Sequence, residues 1–201
     1  MSSIKIDGPY FEEFTPGQVF VAPSVTVTEG HAAMYGALFG DRMRLPLDRH
    51  LCRKVTGEDR WIAHPYLAMH MAAGQTTYAS QHVKGNLFYR GVVLRRPVYI
   101  GDSLYTTTKV VGLKQNKAKP GRDATGMVAL EMTTVNQHDE VVLHFWRSPM
   151  IACKDPQADT GHNDDFSWIK NSFSQEELLD VLPRGWNLEP MASDLTGLRA
   201  P

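Results

Sequence analysis

The chain has 201 residues, 42% hydrophobic and 21% charged, with a formal net charge of −1. These values are ordinary for a globular protein with one sizeable core, and they give no basic surface for nucleic acid. No window has the length or apolar character of a signal peptide or a membrane span. Cys52 and Cys153 lie far apart without metal-ligand spacing. We therefore expect reduced thiols in a cytoplasmic protein, no metal site and no membrane or nucleic-acid partner.

A strand and a short helix come first in the chain. The Val- and Thr-rich segment Gln18–Thr28 predicts a strand that is interrupted near Pro23. Thr28 is a favourable N-cap and Gly40 a favourable C-terminal residue, so we predict a short helix between them. The apolar face of this helix would consist of Ala33, Met34, Ala37 and Leu38.

A polar segment and an apolar helix follow. Asp41–Trp61 is rich in arginine and predicts a long connection, which is either functional or simply solvated. Trp61–Ser80 then contains a helix that begins at Pro65, where the missing N–H is tolerated. Its mostly small apolar residues recur at roughly helical spacing, so we predict a buried, nearly all-apolar helix around which a sheet wraps. These residues are Leu67, Ala68, Met71, Ala72 and Ala79.

Four long strands are predicted after this helix. Short turns separate the later strands, which favours an antiparallel meander. The sheet must bury one face, and the only available cover is the apolar helix. The sequence therefore predicts an α+β fold in which a long antiparallel sheet wraps around a central helix. The predicted strands are Leu87–Val98, Ser103–Lys114, Ala124–Asn136 and Val141–Ile151.

The composition changes after Cys153. We predict a domain at residues 1–153, followed at 154–201 by a linker and a short helical tail. Ser174 and Glu177 have the spacing of a capping box, and the helix they begin would extend to Leu182 before Pro183. The tail is too aromatic for a disordered segment, so we expect it to pack on this chain or on a partner.

Four segments, in order, resemble the MaoC-like enoyl-CoA hydratase/dehydratase family, which has the hotdog fold. They are similar to the family segments Y-F-E-D-F-x-x-G, T-V-T-E-x-D…G-D, I-A-H-G and R-R-P-V-Y-x-G-D-T-L. In this chain they are Tyr10–Phe20, Thr26–Asp41, Ile62–Pro65 and Arg95–Leu104. The last of the four is the most specific.

The resemblance implies the reversible addition of water to a 2-enoyl-CoA thioester. Coenzyme A would then be part of the substrate, and no other cofactor is expected. The acyl pocket of such folds lies between two hotdog units. Pairing would also cover the exposed edge strand of a lone sheet. The implied partner is therefore a second hotdog subunit, in a homodimer or a heterodimer.

The family motif G-D-x-N-P-x-H is only partly present. Asp41 matches its Asp, whereas Pro46 occupies the position of its catalytic His. Pro65 replaces the Gly of I-A-H-G, whose N–H would face the developing enolate oxygen, and proline has no N–H to donate. His64, which precedes the central helix, and His50 are candidates for the missing imidazole. Asp41 is equally compatible with a structural role in its loop.

Substrate-binding candidates lie on several segments. The Tyr66 amide, next along the helix, could replace the missing oxyanion donor. Arg44 and Arg96 would suit the phosphates of coenzyme A, although an ordinary solvated face is the favoured explanation for either residue alone. Asn86 could line the acyl tunnel.

Three functions remain open at this point. The first is an acyl-CoA hydratase/dehydratase that uses Asp41 and a relocated histidine. The second is a non-catalytic hotdog subunit that pairs with a catalytic homologue and completes its acyl-CoA pocket. The third is a thioesterase, because hotdog folds support more than one chemistry.

Overall fold

The computed structural model describes residues 7–195, which form a six-stranded antiparallel sheet with helices on it. The strands are β1 Val19–Val21, β2 Val25–Thr26, β3 Val83–Leu94, β4 Ser103–Gln115, β5 Thr125–Val135 and β6 Val141–Ala152. Their order is β1-β4-β5-β6-β3, and β2 also pairs with β4. The predicted meander is confirmed as β4-β5-β6, and β3 is an edge strand.

Residues 7–195 contain six α-helices. They are α1 Glu29–Phe39, α2 Arg44–Leu47, α3 Arg49–Thr56, α4 Pro65–Gln75, α5 Gln175–Leu179 and α6 Glu189–Leu195. The central helix is α4, which begins at Pro65 as predicted and is followed by a 3₁₀ turn at Thr77–Ser80. None of the helices in this part of the chain is long and apolar enough to cross a membrane.

The core lies between α4 and the sheet. Ala68 and Ala72 are buried in one cluster with Leu130 and Phe145 of the sheet, because their small side chains allow the helix to approach closely. This packing confirms the predicted α+β architecture. The predicted burial of α4 holds for the face that carries Leu67, Ala68 and Ala72. Its other face is exposed, since Tyr66 is 59% exposed and His70 is exposed one turn later.

The ends of α1 are as predicted, but its buried face is not. Thr28 Oγ1 accepts a hydrogen bond from the His31 amide, and Gly40 ends the helix with a φ of 59°. Met34 and Leu38 are 64% and 73% exposed, so the predicted apolar face is wrong. Because α1 is apolar around most of its circumference, the pattern selects no face, and Tyr35 is the residue that packs inward.

Asp41–Trp61 is not the irregular connection that we predicted, because it contains α2 and α3. Asp48 begins α3 by accepting a hydrogen bond from the Leu51 amide, and Gly57 ends it with a φ of 74°. Leu51, Cys52 and Val55 are buried on one side of α3, whereas its basic residues face outward. The high polar content of this short helix hid its amphipathic pattern.

The first long strand lies four residues earlier than predicted. It covers Val83–Leu94, so Arg95 and Arg96 lie in the bend after β3 rather than on the strand. A register shift with β6 falls between Arg90 and Val93, and Gly91 within it has a φ of 62°. A Cβ at Gly91 would lie 2.9 Å from the Trp146 ring. This irregularity interrupts the regular alternation of side chains along β3.

The tail packs against the chain itself. Phe166 and Ile169 form a buried cluster with Ala129 of β5, and α6 contacts α3. Ser174 and Glu177 form the predicted capping box, but α5 ends at Leu179 rather than at Leu182. The domain boundary at residue 153 stays a prediction.

Candidate functional site

The structure brings Asp41 and His64 together. Asp41 follows the glycine that ends α1, and His64 is the N-cap of α4. The distance from Asp41 Oδ1 to His64 Nε2 is 3.0 Å, and the two side chains are 4% and 9% exposed. The result is a buried carboxylate–imidazole contact, the Asp41–His64 pair, at the start of the central helix.

Hydrogen bonds define what each member of the pair can do. His64 Nδ1 accepts the Tyr66 amide N–H at 3.1 Å, so the proton of the neutral ring belongs on Nε2, which lies 3.0 Å from Asp41 Oδ1. Both imidazole nitrogens are therefore occupied. Asp41 Oδ1 also accepts the Met43 amide N–H at 2.8 Å. Asp41 Oδ2 receives no hydrogen bond from residues 7–195, so it is the carboxylate oxygen that has no donor within the described chain.

The backbone N–H groups at the start of α4 differ in whether they have a hydrogen-bond acceptor. Pro65 has no N–H, and the Tyr66 N–H that we predicted as an oxyanion donor is bonded to His64. The Ala68 N–H bonds to the His64 carbonyl at 3.2 Å. Between them, the Leu67 N–H has no acceptor within the described part of the chain. Leu67 therefore carries the unpaired donor at the positive end of this helix.

Tyr35 is a neighbour of the pair that the sequence analysis missed. Its ring lies 4.9 Å from the His64 ring, and its other aromatic neighbours are Phe39 and His70. Burial raises the pKa of Tyr35, and the negative charge of Asp41 and the nearby Tyr66 add to this effect. The hydroxyl thus stays protonated beside the carboxylate. Nothing in the sequence distinguished Tyr35 from its helical neighbours.

Three other predicted residues lie away from the pair or are engaged elsewhere. His50 is exposed on α3 and forms no hydrogen bond or ion pair with Asp41 or His64, whereas Arg44 Nη1 donates to the Met191 carbonyl at 2.9 Å. Arg96 lies 3.5 Å from the Glu140 carboxylate. Their proposed roles stay predictions. Within residues 7–195, no group of three or more His, Cys, Asp or Glu side chains could hold a metal ion.

Asn86, the predicted acyl-tunnel residue, is exposed on β3. Its Oδ1 accepts a hydrogen bond of 3.4 Å from Arg147 Nη1. Arg147 is 6% exposed and was missed, although the sequence held a signal for it. It follows Leu143 and Phe145 at a spacing of two along a strand, so it shares their buried face.

Two cavities lie outside the Asp41–His64 pair. One, of about 490 Å³, is apolar and borders the C-terminal half of α4, including Met71 and Thr76. The other, of about 1060 Å³, has Arg60, Arg95 and Arg96 on one side and tail residues 180–186 on the other. Neither of these two cavities is lined by Asp41 or His64.

Large apolar side chains are exposed on the segments that carry the pair. Patches of this kind on globular proteins commonly mark interaction surfaces. The surface belongs to α1, α2, the turn between them and the start of α4. Its exposed members are Met34, Leu38, Phe39, Met43, Leu47 and Tyr66.

The fold is a hotdog domain, in which an antiparallel sheet surrounds a central helix. A carboxylate–imidazole pair lies at the start of that helix. Residues 12–133 match the MaoC like domain, and the chain belongs to that family. It is 39% identical, over 79% of its length, to a β-methylmalyl-CoA dehydratase of Chloroflexus aurantiacus. It is 30% identical, over 75% of its length, to a mesaconyl-CoA hydratase of Cereibacter sphaeroides.

These relatives are longer than this chain, which spans 44% and 43% of their respective lengths. A solved structure from Mycobacterium tuberculosis, described as a double hotdog fold, has 40% sequence identity and a TM-score of 0.81. The match covers 98% of this chain and 58% of that one. The chain therefore corresponds to about half of each relative.

Proposed function

We propose that this chain is one hotdog unit of an acyl-CoA hydratase/dehydratase that adds water reversibly to a 2-enoyl-CoA thioester. The observation that carries the proposal is the buried Asp41–His64 pair at the start of α4 in a MaoC-family chain. The names of both curated relatives describe the same reaction type on CoA thioesters. No cofactor beyond the coenzyme A of the substrate is required.

Asp41 is the acid–base residue of this proposal. Its Oδ2 takes a proton from water as the water oxygen bonds to C3 of the enoyl group. The resulting carboxylic acid then returns a proton to C2, so that the net reaction adds one water. His64 is a positioning residue, because its Nε2–H holds Oδ1 and leaves Oδ2 directed at the substrate. Dehydration follows the same steps in reverse.

Negative charge develops on the thioester oxygen during this reaction, and a donor must face it. The Leu67 N–H is the unpaired amide at the N-terminus of α4, where the helix dipole also favours an anion. We assign it the role that the family gives to the residue after the histidine. The shift by two positions follows from Pro65 and from the bond between His64 and the Tyr66 amide.

A second hotdog unit completes the site in this proposal. The exposed apolar surface around the pair, the unpaired edge strand β3 and the length of the relatives all support it. The second unit is another copy of this chain or a different hotdog chain. Cys52 and Cys153 are buried and unpaired, which suits a reducing cytoplasmic location.

The test is hydration of crotonyl-CoA and fumaryl-CoA by the full chain, followed at the absorbance of the enoyl thioester. Asp41→Asn keeps the shape of the carboxylate but removes the base, and we expect turnover to fall by about 10²- to 10⁴-fold. The matched control is Asp59→Asn, which removes an exposed carboxylate that pairs with Arg53 rather than with His64. Unchanged turnover in a folded Asp41→Asn protein would remove Asp41 from the mechanism.

A non-catalytic subunit is the second candidate. Pro46 and Pro65 replace a catalytic imidazole and an oxyanion amide, and both nitrogens of His64 are occupied. This candidate predicts that the full chain binds acyl-CoA without hydrating it. Activity would then appear only with a homologous hotdog chain, and Asp41→Asn would leave that activity intact.

A further inference from the structure

Tyr35 carries a polar group that the packing of its ring does not require. The residue is 9% exposed, and its ring lies 4.6 Å from the Phe39 ring and 4.9 Å from the His64 ring. A phenylalanine ring would make the same contacts. The tyrosine hydroxyl forms no hydrogen bond within residues 7–195, so it does not help to hold the ring in place.

The hydroxyl oxygen of Tyr35 is accessible, although the ring is buried. It is not among the side-chain polar atoms of residues 7–195 that are both buried and without a hydrogen bond. Since it has no hydrogen bond in that part of the chain, it cannot be buried. A water or a small ligand can therefore reach this oxygen, and Tyr35 keeps a free donor at an otherwise packed position.

This free donor lies beside Asp41. Tyr35 is one helical turn before the end of α1, and Asp41 follows the glycine that ends it. His64 contacts both residues, through its ring with Tyr35 and through Nε2 with Asp41 Oδ1. Asp41 Oδ2 and the Tyr35 hydroxyl each lack a partner in the described chain and do not bond to each other. Water commonly bridges polar groups that are near each other but not in contact.

The other polar side chains around Tyr35 are less suited to hold such a water. Both nitrogens of His64 are occupied, by the Tyr66 amide and by Asp41. The side chains of Tyr66 and His70 lie on the exposed face of α4, and neither forms a hydrogen bond or ion pair with Asp41. The mechanism proposed above therefore leaves the water with one protein contact, and Tyr35 offers the second.

We propose that Tyr35 is a second catalytic residue, whose hydroxyl donates a hydrogen bond to the oxygen of the water that Asp41 deprotonates. This inference rests on the proposed function and adds a residue to its mechanism. In hydration, one O–H bond of the water breaks, its proton moves to Asp41 Oδ2, and the water oxygen bonds to C3. The electron pair of the C2–C3 double bond moves towards the thioester, and Asp41 then returns a proton to C2. Tyr35 keeps its own proton throughout.

The hydrogen bond from Tyr35 is strongest in the transition state. The water oxygen becomes hydroxide-like as its proton moves to Asp41, so a donor stabilises it more there than in the ground state. In dehydration the same oxygen leaves C3 with negative charge, and the same hydrogen bond assists its departure. A donor with this role must stay protonated. Burial, and after it the charge of Asp41, raise the pKa of Tyr35 and so keep the proton on its hydroxyl.

Tyr35→Phe tests the proposal, because it removes the hydroxyl and keeps the ring. We expect kcat for the hydration of crotonyl-CoA by the full chain to fall about 10- to 100-fold, with little change in KM. Dehydration of 3-hydroxybutyryl-CoA should slow by the same factor, since both directions share one transition state. Urea unfolding should be nearly unchanged, because the hydroxyl has no partner in the described chain. The matched control is Tyr105→Phe, which removes a hydroxyl from a 44% exposed residue of β4 and should keep the wild-type kcat.

A double variant tests whether Tyr35 and Asp41 act on the same water. Asp41→Asn combined with Tyr35→Phe should be slower than Asp41→Asn alone by less than about twofold, because residues that act as a unit are not additive. Fully multiplicative losses, or a wild-type kcat in the Tyr35→Phe protein, would overturn the Tyr35 proposal while the proposed function stands. A wild-type chain that hydrates no enoyl thioester contradicts the proposed function, and the Tyr35 proposal falls with it.

A second substitution covers the case in which Tyr35→Phe does not fold. Incorporation of 3,5-difluorotyrosine at position 35 keeps the hydroxyl and makes it more acidic. The donor then loses its proton at a lower pH, so kcat should decline at a lower pH than in the wild-type protein. A pH profile identical to that of wild type would overturn the role of the hydroxyl.

Discussion

Asp41 Oδ1 and His64 Nε2 lie 3.0 Å apart, and this contact joins the end of α1 to the start of α4. His64 has two tasks in this geometry. Its Nδ1 caps the helix by accepting the Tyr66 N–H, while its Nε2 orients Asp41. One imidazole thus links the stability of the central helix to the position of the proposed base, and substitutions can separate the two tasks.

The variants His64→Asn and His64→Ala distinguish the capping of α4 from the orientation of Asp41. Asparagine can still cap α4 but cannot reach Asp41, whereas alanine does neither. We expect both variants to lower kcat by about 100-fold with a smaller change in KM, because Asp41 is no longer held in position. The Ala variant should be less stable than the Asn variant by about 1 kcal/mol in urea unfolding. A normal kcat in the Asn variant would show that the orientation of Asp41 does not depend on His64.

Gly126 is predicted to be the glycine of the sheet that least tolerates a methyl group. A Cβ at this position of β5 would overlap the ring of Phe11, which is fully buried. We expect Gly126→Ala to lower the free energy of unfolding by about 1–3 kcal/mol through overpacking. Gly85→Ala on β3 is the control, since no atom lies within 4 Å of its added Cβ. Urea midpoints that do not differ between the two variants would contradict the packing around Phe11.

The buried thiol of Cys153 is predicted to make the protein less stable at alkaline pH. Burial raises the pKa of its thiol from 9.0 to about 11, and the charges of Glu12 and Asp155 contribute. Between these values the native thiol keeps its proton while the unfolded thiol loses it. Because the unfolded state then binds fewer protons, stability should fall as the pH rises from 9 towards 11.

Urea unfolding at several pH values measures this effect, and Cys153→Ala should flatten the decline relative to wild type. Alkylation gives an independent readout. At pH 8 the native Cys153 should react with iodoacetamide far more slowly than the same residue in urea. Equal rates in the two states would mean that the thiol is accessible and that its pKa is not raised.

The sequence predicted the elements whose boundaries depend on local chemistry. Thr28, Gly40 and Pro65 begin or end helices because of their own side chains or backbone preferences, and the structure agrees at all three. The predictions failed where contacts between residues far apart in the sequence decide which side chain is buried. Tyr35 rather than Met34 is buried because His64, far along the chain, lies beside it. The irregularity at Gly91 has the same origin, since the Trp146 ring of the neighbouring strand leaves no room for a Cβ there.

The candidate site was only partly accessible from sequence, for a related reason. The resemblance indicated Asp41, and the position of His64 just before the central helix made it a candidate. The sequence could not indicate that the Tyr66 amide would be bonded to His64. Arg147 had a local signal, a charge on the buried side of a strand, but its missing counter-ion is visible only in three dimensions.

Phe166 is predicted to make the tail part of the cooperative fold. Its ring is 7% exposed, belongs to the cluster with Ala129 and Ile169, and lies against Gly112. We expect Phe166→Ala to cost about 3–5 kcal/mol while unfolding remains a single transition. Leu179→Ala, at a tail position that is 56% exposed, should change stability by less than about 0.5 kcal/mol. A small effect at Phe166 would mean that the tail folds separately from the sheet.

Leu38 tests whether the apolar surface around the Asp41–His64 pair binds a second hotdog unit. It is 73% exposed in this chain, so Leu38→Glu should leave the stability of the isolated fold nearly unchanged. In the complex, however, the substitution would bury an unpaired carboxylate against an apolar partner, which is strongly unfavourable. We therefore expect the tagged variant, purified from its native cells, to shift from the mass of the complex towards the 22.5 kDa of one chain. Leu182→Glu, at a tail position that is 57% exposed, is the control and should keep the full mass. If the Leu38→Glu protein also keeps the mass of the complex, the second unit does not bind on this surface.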